Sequence, residues 1–168
     1  MVTMSFVKLL PDGHIDLEDL EAQLAARPER CLVSLMHANN EIGNLLDIDA
    51  TGEICKKYNA IFHSDTVQTI WHYKLDLRKN PVHFATAASH KLHGPKGVGI
   101  IYINDNIKIN PIVFGGGQER NMRAGTENLY GIVGFAKALE LADAAQEKDS
   151  AYIQSLKDYM IAQLVQHI

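Results

Sequence analysis

The chain has 168 residues, 46% hydrophobic and 21% charged, with a formal net charge of −4. That is enough for one soluble domain with a sizeable core, and it offers no basic face for nucleic acid. No apolar run nears the length of a membrane span, no signal-peptide pattern opens the sequence, and Cys31 and Cys55 lack CxxC spacing. The expectation is therefore reduced thiols in a cytoplasmic protein with no membrane partner.

No repeat or linker divides the chain, so one unit is expected over residues 1–168. Residues 2–9 read as a short strand or extended entry, followed by a turn at Pro11-Asp12-Gly13. Asp16 can cap a helix carrying Leu17, Leu20 and Leu24, which ends before Pro28. Residues 31–36 form a short apolar run expected as a buried strand, ending in the polar stretch His37-Ala38-Asn39-Asn40. Asp49 is the expected cap of a second helix with Ile54 and Tyr58 on one face. A strand over 60–64 then ends at Asp65. The tract around Trp71 has no clear periodicity. Strands are expected over 82–88 and 98–103, and the tight return through Gly94-Pro95-Lys96-Gly97 predicts that these two are antiparallel.

A short extended piece at 111–114 and a glycine loop at 115–117 lead to Gly125-Thr126. Thr126 is the expected cap of a helix reaching about Ala145, with Leu129, Ile132, Val133, Ala136 and Leu139 as its stripe. Gly131 and Gly134 would weaken that helix in isolation, which predicts close packing against a neighbour. A last amphipathic helix carries Ile153, Leu156, Met160 and Leu164. Alternation of helix and buried strand predicts an α/β domain with a largely parallel sheet.

In open parallel sheets, ligands bind beyond the carboxyl ends of the strands. Three polar groups fall just past three successive strand ends: Asn39-Asn40, Asp65 with Gln68, and His90-Lys91. A carboxylate can keep a pyridine nitrogen protonated, amides can hydrogen-bond a phenolic oxygen, and a desolvated lysine can form an imine. Those are the tasks of a pyridoxal phosphate site. Read singly, Asp65 and Asn39-Asn40 are turn residues, Gln68 a surface amide and Lys91 a loop lysine; the chemistry lies in their joint placement. Gly125-Thr126 ahead of a helix offers backbone donors and a hydroxyl suited to a phosphate.

The segments 36–43, 63–68, 89–99 and 115–128 together resemble cysteine desulfurases, pyridoxal-phosphate enzymes related to class V aminotransferases. The resemblance covers almost the whole chain. It implies a three-layer αβα fold, here the central part of a fold-type I large domain. It also implies L-cysteine as substrate, a sulfur-acceptor or scaffold protein as partner, and a homodimer with shared sites. By the same resemblance Lys91 is the Schiff-base lysine and Asp65 the partner of the pyridine nitrogen. Gln68 and Asn40 lie toward the ring's phenolic oxygen, Ser89 and His90 contact the cofactor, and Thr126 reaches the phosphate bound by the other subunit.

The family pattern is not matched everywhere. Its serine three residues before the lysine is Ala88 here, with Ser89 next to it, and its Gly-Lys after the Gln68 motif is Trp71-His72. The persulfide-carrying cysteine has no counterpart, since Cys31 and Cys55 lie elsewhere. Also unmatched are an N-terminal phosphate-binding turn, a ring-stacking histidine and a substrate-binding arginine. The expectation is a piece of a chain more than twice this length, able to supply the cofactor half of the chemistry and not the persulfide half. The alternatives are a catalytically inactive structural piece, another class V lyase or transaminase, or a metal-binding module built on His83, His90 and His93.

Overall fold

A computed structural model describes residues 2–168. Its centre is a four-stranded sheet in the order β1-β2-β3-β4, comprising Leu32–Met36, Ile61–Asp65, Phe84–Ala88 and Gly99–Ile103. The first three strands run parallel and β4 returns antiparallel to β3, in the register Ala88↔Gly99 to Phe84↔Ile103. Residues 2–8 form no strand; the entry is tied by the bridge Leu9↔Ile15 and by bonds to α1, among them the Lys8 N–H to Asp19 at 3.0 Å and the Gln23 amide to the Phe6 carbonyl at 2.9 Å.

Two helices cover one face of the sheet. Helix α1, Leu17–Ala25, begins at Asp16, whose carboxylate accepts the Asp19 N–H, and buries Leu20 and Leu24. Helix α2, Ile48–Lys57, buries Ile48, Thr51, Gly52 and Cys55. They meet Val33, Phe62, Val82 and Ala85 in one apolar cluster. Gly52 is required there, because a Cβ would collide with the ring of Pro81.

Alternation along the strands puts Leu32, Ser34 and Met36, then His63 and Asp65, then Thr86 and Ala88, on the opposite face. Much of that face is left open by the described residues, with Leu32 64% and Ile101 53% exposed, although Phe84 on the same face is 8% exposed. The sheet and one helix layer of the αβα arrangement are thus present in this chain.

Three details differ from the sequence reading. The cap of α2 is Asp47, whose Oδ1 accepts the Ala50 N–H at 2.9 Å. Starting two residues earlier buries Ile48 in the cluster with Leu46, a gain that Asp49 as cap would forfeit. The long helix α3, Leu129–His167, is continuous where two helices were expected, and it is capped by Asn128 through Oδ1 to the Gly131 N–H at 3.1 Å. Its buried stripe is Gly131, Phe135 and Ala138, while Leu129, Ile132 and Val133 face outward. The expected close approach is present: a Cβ on Gly134 would collide with Pro95. Segment 111–114 makes bends and no strand.

Candidate functional site

The carboxyl ends of β1, β2 and β3 lie side by side, and the backbone beyond them is cross-linked. The His37 N–H donates to the Asp65 carbonyl at 2.8 Å, and the Thr66 N–H and hydroxyl both donate to the Thr86 carbonyl at 3.0 and 2.8 Å. The polar groups expected at this rim are therefore carried on adjacent strands, Asp65 being in register with Met36 on one side and Thr86 on the other.

Asp65 is half-buried on the open face, and its Oδ1 accepts the Val67 N–H at 2.9 Å. It makes no ion pair among the described residues. Gln68 is half-buried in the turn that follows. The Asn39 side chain is consumed locally, its Oδ1 accepting the Glu41 and Ile42 N–H groups at 2.8 and 3.1 Å. Asn40 is exposed and donates only to Glu41 Oε1, at 2.7 Å.

After β3 the chain turns through a 3-10 helix at Ser89–Leu92. With three residues per turn, Ser89 and Leu92 share a side and are buried, which turns His90 and Lys91 outward. His93, in the left-handed conformation at φ 61°, closes the turn. Gly94 follows, and a Cβ on it would strike the Ser89 hydroxyl. Lys91 is exposed: the described residues flank it on one side only and do not supply the desolvation expected around it. Ser89 is 0% exposed and its Oγ has no hydrogen-bond partner. Of Ala88 and Ser89, the one that shares the open face with Asp65 is Ala88, which carries no hydroxyl.

Thr126 is exposed in the loop before α3 and does not cap it. The Gly125 N–H donates to Gln118 Oε1 at 3.2 Å, and a Cβ on Gly116 would also strike that amide, so Gln118 draws the two ends of the glycine loop together. Trp71 resolves the tract that periodicity left unassigned. It adopts φ 64°, a conformation that favours glycine, and packs against the cluster of Ala87, Leu92, Phe135 and Ala138 beneath the lysine turn. The glycine that the resemblance expects at this position suits that backbone, and the indole's packing offsets the strain here.

Cys55 and His83 are held in settings of their own. Burial pushes the Cys55 thiol up to about 12, far from a reactive thiolate. His83 Nδ1 accepts the Phe62 N–H at 3.0 Å, and among the described residues no three metal-ligating side chains gather. Sequence reasoning overlooked His37, 4% exposed, whose Nδ1 lies 2.9 Å from Thr69 Oγ1. Its position inside the Asn39-Asn40 motif was the available signal.

The fold is that of an α/β domain with polar groups gathered at its strand ends, and comparison with known proteins places it. Residues 1–167 match the family described as aminotransferase class-V, and the chain belongs to that family. It is 42% identical over 157 residues to cysteine desulfurase IscS of Dictyoglomus turgidum, covering 94% of this chain and 39% of that protein. It is 43% identical over 145 residues to cysteine desulfurase IscS of Methanosarcina thermophila, covering 86% and 36%. A NifS-like protein from Rickettsia africae superposes with a TM-score of 0.91 at 36% identity, over 96% of this chain and 45% of that one. The apo cysteine desulfurase of Thermococcus onnurineus superposes at 0.77 with 25% identity, over 84% and 39%. The chain thus spans about two fifths of the length of the curated relatives it matches.

Proposed function

We propose that this chain is the central part of the pyridoxal-phosphate-binding large domain of a cysteine desulfurase. The observation that carries the reading is the placement of Asp65 and Lys91 at the carboxyl ends of adjacent parallel strands, with Asn40 beyond the third. The donor set fits the cofactor. The Asp65 carboxylate has no competing cation among the described residues, and one oxygen is already oriented by the Val67 N–H.

In this reading Asp65 holds a proton on the pyridine nitrogen, and Gln68 and Asn40 donate toward the phenolic oxygen. Lys91 Nζ is the amine that carries the cofactor's aldehyde carbon, with His90 beside it. Thr126 serves the phosphate in a partner subunit of a homodimer. The bound cofactor supplies an electron sink for a substrate carbon. The Lys91 amine would take and return the proton at that carbon, as a general base and acid.

Ser89 enters this scheme only if its hydroxyl turns out from beneath Gly94; the hydroxyl-free Ala88 is the side chain that faces the open rim. The substrate by this reading is L-cysteine, and the products are alanine and sulfur passed on to an acceptor or scaffold protein. Cys55 is ruled out as the persulfide cysteine by its raised pKa and complete burial. Cys31 precedes β1, at the opposite end of the strand from the candidate site, so by this reading the persulfide step needs a cysteine outside residues 1–168. Among the described residues no helix is long and apolar enough to cross a membrane, and a cytoplasmic setting agrees with that and with the free thiols.

Titrating pyridoxal phosphate into the protein and into Lys91→Ala, while following the visible band of the lysine-linked cofactor, tests the assignment. The band is expected in the first and absent in the second. Equal bands would defeat it. Asp65→Asn is expected to retain the band but shift its position, because the ring nitrogen loses its counter-charge.

A further inference from the structure

A buried polar chain runs beneath the strand ends and takes no direct part in the chemistry proposed above. His37 leaves β1 with its N–H on the Asp65 carbonyl and its own carbonyl accepting the Leu46 N–H, both at 2.8 Å. Its ring packs on Tyr73, with centroids 5.9 Å apart. Nδ1 lies 2.9 Å from the hydroxyl of Thr69, which is 0% exposed. That hydroxyl also lies 3.3 Å from the Thr66 carbonyl, which already accepts the Thr69 and Ile70 N–H groups, so its stronger bond is the one to Nδ1, donated by the hydroxyl or by the ring according to the tautomer. Thr66 is anchored in turn to the Thr86 carbonyl of β3.

The chain from His37 through Thr69 and Thr66 to Thr86 joins the exits of β1 and β3 around one short turn. The turn in between holds Asp65 and Gln68, with the Val67 N–H on Asp65 Oδ1. We propose that the His37–Thr69 pair is a positioning device that clamps this turn and thereby aims the Asp65 carboxylate. Neither residue reaches the rim itself. Both act through the backbone of the turn. Buried hydrogen-bonded pairs suit this task because removing one partner strands the other in a low dielectric, so few other arrangements of the turn compete. The consequence for the cofactor rests on the reading of Asp65 given above; the clamp itself does not.

The test uses the intact chain, first without cofactor. Thr69→Val keeps the shape of the side chain and removes the hydroxyl; Thr69→Ser restores the hydroxyl, and His37→Asn keeps a donor near the place of Nδ1. Hydrogen exchange at the Val67 amide reports the grip on Asp65. Thr69→Val is expected to speed it about fivefold to tenfold relative to the β2 amides, the size of one lost buried hydrogen bond. Thr69→Ser is expected to bring it back to within about twofold, and His37→Asn to lie between the two. A purely structural role would move Val67 and the β2 amides together. That result, or failure of Thr69→Ser to restore protection, overturns the clamp.

With pyridoxal phosphate added, Thr69→Val is expected to weaken binding by about the same factor while the Lys91-dependent band persists. Selective exchange at Val67 with unchanged affinity would uphold the clamp and overturn the role given to Asp65.

Discussion

Where α1 and α2 cover the sheet, the large apolar side chains turn inward: Leu20, Val33, Phe62 and Val82 are at most 7% exposed. Along α3 the pattern breaks. Phe135 and Ala138 are buried against the lysine turn, but Tyr152, Ile153, Leu156, Met160 and Leu164 are each at least 47% exposed. Both regions are periodic in sequence, yet only the first has an element opposite its apolar face among the described residues. The first region therefore draws its stability from burial. The distal part of α3 rests on helix propensity and local pairs, such as the Gln154 amide donating to Asp158 at 2.6 Å.

The strongest way to test this contrast is to truncate one side chain in each region. Phe62→Ala, at 0% exposure, is expected to cost about 3–5 kcal/mol in urea unfolding, whereas Leu156→Ala should fall within about 0.5 kcal/mol of the parent. A loss at Leu156 comparable to that at Phe62 would mean that the distal helix is packed in solution. Gly52→Ala adds a methyl where α2 meets Pro81 and is expected to cost about 1–3 kcal/mol by overpacking.

The caps sharpen the comparison at smaller scale. Asp47→Ala and Asn128→Ala should each cost about 1 kcal/mol, because these two side chains accept an N–H of the first helical turn. Thr126→Ala and Asp49→Ala, the latter losing an exposed bond from the Asn80 amide, should stay within about 0.5 kcal/mol of the parent. The reverse ranking would return the helix starts to where the sequence placed them.

The smallest expected effect is on pH dependence. Burial holds His37 below its ordinary value of 6.5, and His83 is lowered by burial and by the nearby Arg30. In each case the unfolded chain takes up the proton first as pH falls. The stability these neutral rings contribute is thus complete above 6.5 and is lost as pH drops through the lowered folded values. Melting temperatures followed downward from pH 7 should decline in that window, and His37→Asn should flatten part of the decline.

Much of the site was readable without coordinates, for a physical reason. Strand ends followed by polar turns are local features, so Asn40, Asp65 and Lys91 could be assigned to successive strand exits from apolar runs and turn residues alone. The antiparallel return into β4 was equally local, since Gly94 to Gly97 leaves room for nothing but a tight reversal. The failures came where two local solutions were nearly equivalent. Asp47 and Asp49 are both competent caps, and burial of Ile48 decides between them. Thr126 and Asn128 pose the same choice, decided for Asn128 by the start of the helix. The apolar positions of α3 admit more than one stripe, and contact with Ala87, Leu92 and Pro95 selects the face containing Phe135.

The sequence by itself determined the order of the elements, the largely parallel sheet and the residue types gathered at its carboxyl edge, because periodicity and turn chemistry are properties of neighbouring residues. Tertiary structure alone decided that Ser89 turns inward while Ala88 faces the rim, that Lys91 stands exposed, and that His37 bonds to Thr69. Those outcomes depend on strand register and on which groups lie opposite across 30 or more residues of chain, as in the separation of 32 between His37 and Thr69. No local pattern encodes that distance.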